Sequence, residues 1–153
     1  PLAGLLLMGV FILLYSSQSG LESKIKNGYN LLEKNRYEEA EKEFRKALEK
    51  TRNSPEVYAG LGETFLKNKR YEEAVPQFKR SIELKPSNSS YKVKLARVYH
   101  SLGKLKEAEN YYRLAIDTSP KDASAYYYFG AFMERRFTLV SKRITQNNSI
   151  KYS

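Results

Sequence analysis

The sequence predicts an all-α protein: a solenoid of three helical hairpins plus a capping helix, preceded by a transmembrane helix. Three observations carry this reading. Residues 1–15 hold no charged or strongly polar side chain, a pattern of 15 residues recurs at an offset of 34, and apolar residues inside each repeat return every three or four positions.

The apolar start comes first. Pro1 to Tyr15 reads PLAGLLLMGVFILLY, which no water-facing amphipathic helix carries. The expected element is a transmembrane or signal-anchor helix over residues 1–18, with Leu5, Leu6, Leu7, Phe11, Ile12, Leu13 and Leu14 in lipid. At about 1.5 Å per residue the run spans roughly 22 Å, or about 27 Å through Gln18, against roughly 30 Å of hydrocarbon. That shortfall, with no Met and no basic flank ahead of the run, predicts a helix that begins before Pro1. Another reading stays open: a secretory segment cleaved at Ser17-Gln18-Ser19, leaving a secreted or periplasmic accessory protein. A buried core helix is the third, though a solenoid offers it no obvious pocket. Lys24 and Lys26 lean the following domain towards the cytoplasmic or stromal side.

The repeats follow. NRYEEAEKEFRKALE from Asn35, KRYEEAVPQFKRSIE from Lys69 and GKLKEAENYYRLAID from Gly103 stand 34 residues apart, which sets unit starts at Leu21, Pro55, Ser89 and Ala123. In the second unit Tyr58, Leu61, Gly62 and Phe65, then Tyr71, Ala74, Phe78 and Ile82, mark two amphipathic helices. Asn35-Arg36, Asn68-Lys69-Arg70 and Gly103-Lys104 read as turns, and Ser54, Asn88 and Asp122 as N-caps. Gly28, Gly62, Ala96 and Gly130 are expected to face Ala40, Ala74 and Ala108, while Phe44, Phe78 and Tyr112 fill the space towards the next unit. Pro76 removes one backbone bond near the start of a helix and predicts a slight bend.

These residues resemble the tetratricopeptide repeat (TPR), a unit of 34 residues with aromatic, Leu-Gly, aromatic, Ala, Phe, Ala and Pro at set places. The second unit matches best, with Ser81 where Ala is usual. The third supplies Leu95, Ala96, Tyr99, Ala108, Tyr112, Ala115 and Pro120, and the first departs at Asn27 and Arg52. The resemblance covers residues 21–136. The fourth unit keeps Tyr126, Phe129, Gly130 and Met133 but has Lys142, Gln146 and Ser149 where its second helix needs Ala, Phe and Ala, so it reads as a capping helix.

The resemblance implies a concave groove lined by the first helix of each unit, with protein partners bound there. It places Tyr29, Leu32, Glu63, Leu66, Lys94, Arg97, His100 and Tyr127 in that groove. Tyr29 and Tyr127 would be rigid anchors, and Glu63 and Arg97 would either select a partner's register or pair with each other. A subclass of the family grips chaperone C-termini through Lys and Asn; Ile25, Tyr29, Ala59 and Glu63 stand at those places and disfavour that ligand.

Charge and composition limit the alternatives. The net charge is +10, all 17 acids lie between Glu22 and Glu134, and five bases follow from Arg135 onward. Residues 137–153 read as a basic tail without helical periodicity, with Lys142, Arg143 and Lys151 as candidates for contact with anionic lipid or an acidic partner. There is no Cys, His100 is the single His, and no phosphate loop or metal spacing occurs, so no enzyme, cofactor or metal is expected. Nucleic-acid stacking on Tyr111-Tyr112 or Tyr126-Tyr127-Tyr128 is disfavoured, because Tyr112 and Tyr126 fall on repeat-packing positions.

The function expected is therefore a membrane-anchored protein-interaction scaffold in the assembly or stabilisation of a membrane protein complex. The resemblance includes photosystem biogenesis, organelle import and envelope machinery without choosing among them. A stable structural subunit of such a complex is the alternative.

Overall fold

The computed structural model describes Met8 and residues 20–151, with side chains of the last helix as far as Gln146. All of 20–151 is helix or short turn: α1 (20–33), α2 (Tyr37–Lys50), α3 (Pro55–Lys67), α4 (Tyr71–Leu84), α5 (Ser89–Ser101), α6 (Leu105–Thr118) and α7 (Ala123–Lys151). Apart from Met8, the expected anchor lies outside the described residues. Among the described residues no helix is long and apolar enough to cross a membrane. The chain forms two compact units, one ending at Lys85 and the other starting at Pro86.

Each hairpin turn is closed the same way. Asn35, Lys69 and Gly103 take positive φ values of 57°, 60° and 72°. The amides that follow them donate back five residues, Arg36 to Leu31 at 2.9 Å, Arg70 to Phe65 at 2.8 Å and Lys104 to Tyr99 at 2.9 Å. This Schellman geometry satisfies the last carbonyls of the first helix while reversing the chain. Only Gly103 reaches that backbone without steric cost; Lys69 holds it against its own Cβ.

In the first unit the ring of Phe44 is fully buried. A Cβ on Gly28 of α1 would come within 2.7 Å of it, and one on Gly60 of α3 would come closer still. One aromatic side chain is thus held between two bare backbones. Phe78 of α4 repeats the arrangement, lying 2.9 Å from where a Cβ on Gly62 would stand. The glycines therefore make room for rings, and Ala40 and Ala74, expected opposite them, are fully buried as well. Ser81 replaces Ala without an unmet hydroxyl, because its Oγ donates to the Phe78 carbonyl at 2.8 Å.

Helix starts differ from one another. Ser54 Oγ accepts the Val57 amide at 3.4 Å ahead of Pro55, and Asp122 Oδ1 accepts the Ser124 amide at 3.0 Å. Asn88 has the extended backbone of a cap but makes no side-chain capping bond, contrary to expectation. Its helix is tied down by other groups: Ser89 Oγ donates to Asp122 Oδ2 at 2.6 Å, and Lys92 Nζ donates to the Pro86 carbonyl and to Thr118 Oγ1. At α2 and α4 an arginine precedes the helix and forks onto the glutamate three residues later. Arg36 reaches Glu39 at 2.5 Å, and Arg70 reaches Glu73 at 2.6 and 2.7 Å and also Glu41 of α2 at 2.7 Å. Helix α4 continues through Pro76.

The second unit departs from expectation at its end. The basic stretch 137–153 was expected as a tail without regular structure, yet α7 runs without interruption to Lys151. The residues lost from the repeat signature there remove a packing partner; none of residues 137–151 is a proline or glycine that would stop a helix.

Candidate partner-binding groove

Helices α5 and α7 line a concavity of the second unit, with Tyr112 of α6 at its floor. Tyr112 of α6 is almost completely buried and meets Phe129 at 5.8 Å and Phe132 at 5.5 Å between ring centres. On this base the His100 imidazole of α5 meets Phe132 in a T-shaped contact, 5.2 Å between ring centres at 89°. Arg97, one turn earlier, lays its guanidinium over Tyr128 at 4.9 Å. Tyr127 stands beside Tyr128 at 5.3 Å in an edge contact and is 72% exposed.

These groups, with Ser101, Ala131 and Arg135, line an open pocket of about 310 Å³. Among the described residues no acid lines it, so Arg97 and Arg135 give it a positive field over aromatic walls. Burial, and then the charge of Arg135, hold the His100 imidazole below its ordinary pKa. Burial pushes the Tyr112 hydroxyl up to about 12, so it stays a neutral donor. A stacked guanidinium keeps its in-plane N–H groups available while its face is occupied, which suits it to a carboxylate. Among the described residues no group of His, Cys, Asp or Glu could hold a metal ion.

The structure brings together three of the groove residues read from the sequence, Arg97, His100 and Tyr127, around one pocket. Lys94 is half-buried on the same helix. In the first unit Tyr29 is half-buried, in a T-shaped contact with Phe44 at 5.2 Å, its hydroxyl donating to the Glu56 carbonyl at 3.4 Å. Glu63 and Leu66 lie half-buried on α3. Leu32 is only 2% exposed, so it belongs to the core and not to a binding surface. Sequence reasoning missed Tyr128, Phe132 and Arg135. Arg135 lies two helical turns past Tyr127, a groove residue read from the sequence, and that spacing was the available signal.

Two family profiles, both described as tetratricopeptide repeat, match residues 25–89 and 65–131 and together take in every hairpin. The chain is a tetratricopeptide repeat protein. TPR arrays are interaction modules, typically without enzymatic activity. No curated protein matches the sequence. Solved TPR structures share the fold at low identity. The second TPR domain of human RPAP3, in complex with the HSP70 peptide SGPTIEEVD, is 20% identical with a TM-score of 0.70, over 76% of this chain and 98% of that one. The Yersinia enterocolitica type III secretion translocator chaperone SycD is 18% identical with a TM-score of 0.71, over 77% and 95%. PcrH, in complex with the chaperone-binding region of PopB, is 18% identical with a TM-score of 0.66, over 74% and 92%.

Proposed function

We propose that this TPR protein is a recruitment scaffold whose α5–α7 groove takes an extended acidic segment of a partner protein. The observation that carries the reading is the acid-free pocket in which Arg97, Arg135 and His100 surround exposed tyrosine. Peptide-bound TPR structures such as those of RPAP3 and PcrH support a peptide as the ligand class. The partner's side-chain carboxylates bind Arg97 and Arg135 while its apolar side chains lie on Tyr127 and Phe132. Residues 1–18 tether the scaffold to a membrane, where it assembles or stabilises a membrane protein complex. The uncharged run Pro1 to Tyr15 supports the tether.

Fluorescence anisotropy of the whole chain with labelled SGPTIEEVD tests the groove. The acidic peptide should bind at least about ten-fold tighter than a version with Glu replaced by Gln, a difference of about 1.4 kcal/mol. Arg97→Gln and Arg135→Gln should each weaken it, whereas amidating the peptide C-terminus should change little. Equal binding of the Gln peptide would remove the electrostatic reading. For the tether, recovery with membranes after alkaline carbonate washing is expected, and recovery in the soluble fraction would contradict it.

A further inference from the structure

The first unit breaks the repeat pattern on one face of α1. Ser23, Asn27 and Asn30 stand 34 residues before Val57, Leu61 and Thr64 of α3, and 68 before Tyr91, Leu95 and Val98 of α5. All six of those later residues are buried, whereas Ser23, Asn27 and Asn30 are exposed. That face of α1 therefore offers an apolar surface nothing to pack on. The polar outer face of a terminal repeat needs only to be soluble, yet this one also gathers bases and leaves little room for acid.

Lys24, Lys26 and Lys50 border an open pocket of about 520 Å³ between α1 and α2, which Ser23, Asn27 and Asn30 also line. Lys50 is the last residue of α2, and the hairpin returns its ammonium to the start of α1: Nζ lies 3.1 Å from where a Cβ on Gly20 would stand. The one acid on the pocket, Glu43, pairs with Lys46 of its own helix at 2.8 Å. Hydrogen bonds from Lys46 and then from Asn27 hold its carboxyl below the usual carboxylate range, so it stays charged and that charge is spent within α2. Glu22 and Glu49 line other concavities. Among the described residues no acid lies within ion-pair distance of Lys24 or Lys50. Lys26 stands on the rim, shared with the concavity that holds Glu22 and Glu56.

The sequence sets this pocket beside the uncharged run. Tyr15 ends that run, and the five residues from there to Gly20 reach at most about 18 Å when fully extended. In a chain tethered through residues 1–18 the pocket is thus held close to the headgroups. Anionic headgroups draw basic side chains that come within about a Debye length, roughly 8 Å, of the surface. A lysine ammonium on its flexible stem meets phosphate as a point charge, without the fixed fork of arginine, which suits headgroups that move.

We propose that Lys24 and Lys50, with Lys26 at the rim, form a site for the phosphates of anionic phospholipid headgroups, so that this end of the α1–α2 hairpin rests on the membrane surface. The inference rests on the tether reading and uses no residue of the α5–α7 groove.

The test uses the whole chain in nanodiscs of phosphatidylcholine, with or without phosphatidylserine, that carry a trace of lipid with a gadolinium-chelating headgroup. Phosphatidylserine should at least about double the paramagnetic broadening of the amides of residues 23–30 and 46–51, and high salt should reverse the increase. A double variant with Lys24→Gln and Lys50→Gln should lose the increase while keeping its thermal midpoint. Lys42→Gln, on another face of α2, should keep both. Equal broadening with and without phosphatidylserine, or the same increase in the double variant, would overturn the proposal. Inorganic phosphate that shifts the amides of residues 23–30 as strongly as phosphatidylserine does would overturn it in favour of a free anion. Firm membrane insertion with no phosphatidylserine effect would remove this site and leave the tether. Recovery in the soluble fraction, with sedimentation on phosphatidylserine vesicles that the double variant loses, would support the site and remove the tether.

Discussion

Replacing Gly60 by Ala puts two opposed effects on the same atom. In an open helix the change stabilises by about 0.5–1 kcal/mol, because glycine gives up more backbone freedom on folding. At Gly60 the new methyl would overlap the Phe44 ring, whose three nearest atoms all lie within 2.8 Å of the Cβ position. That ring is fully buried and already has Gly28 against it, so it cannot withdraw without moving α1 or α3. Overpacking of this kind costs about 1–3 kcal/mol. The net expectation is a loss of about 1–2 kcal/mol, or some 2–8 °C in the thermal midpoint for a chain of this size. Gly130→Ala, where nothing lies within 4 Å, should move the other way by about 0.5–1 kcal/mol. Thermal and urea denaturation followed by circular dichroism at 222 nm measures both. Adding Phe44→Leu to Gly60→Ala should recover part of the loss, because the smaller side chain leaves the methyl its space. A Gly60→Ala protein as stable as the natural chain would refute the packing of Phe44 between two glycine backbones.

Other substitutions test the turns, the ion pairs and the groove. Lys69→Gly should stabilise by about 0.5–1 kcal/mol by relieving a positive φ, and Asn35→Gly by less, because asparagine tolerates that backbone; equal effects in urea titrations would contradict the turn geometry. Arg70→Lys should cost up to about 1 kcal/mol, more at low salt than at high, because a lysine cannot reproduce the fork onto Glu73 and Glu41 or the stacking over Phe65. His100 is held below its ordinary pKa of 6.5. The unfolded chain therefore takes up a proton that the folded chain resists, and stability falls as pH drops from about 6.5 towards the lowered value, then levels off. His100→Gln should flatten that part of the pH profile in denaturant titrations. The loss from the depressed carboxyls of Glu109 and Asp122 comes at lower pH and should remain.

Periodicity carried most of the fold. The 34-residue offset placed the starts of α3, α5 and α7 at Pro55, Ser89 and Ala123, because each start follows a turn whose residues repeat in the sequence. The signature also located the buried rings Phe44, Phe78 and Tyr112. It could not show that Gly60 joins Gly28 around Phe44, since Gly60 is not a signature position and its role depends on which helix face meets the ring. The end of α7 was misread for a related reason: loss of the packing signature removes evidence for a second helix, but it does not stop the first one from continuing. Repeat register set Arg97, His100 and Tyr127 on one side of the second unit, and one pocket is lined by all three. Leu32 belongs to the core instead, because register gives a residue's direction on its helix while burial depends on what packs beside it. Arg135 shares a helix face with Tyr127 two turns earlier, a signal open to the sequence, whereas Phe132 became visible only when α7 was seen against α5.

The proposed binding site is tested most directly by ¹H–¹⁵N spectra of the whole chain titrated with SGPTIEEVD. The largest shifts should fall on Arg97, His100, Ser101, Tyr127, Tyr128 and Arg135, and the Gln-substituted peptide should produce far smaller ones. Shifts confined to the exposed faces of α2 and α4, or the same shifts from both peptides, would contradict a basic, aromatic groove between α5 and α7 as the place where a partner is held.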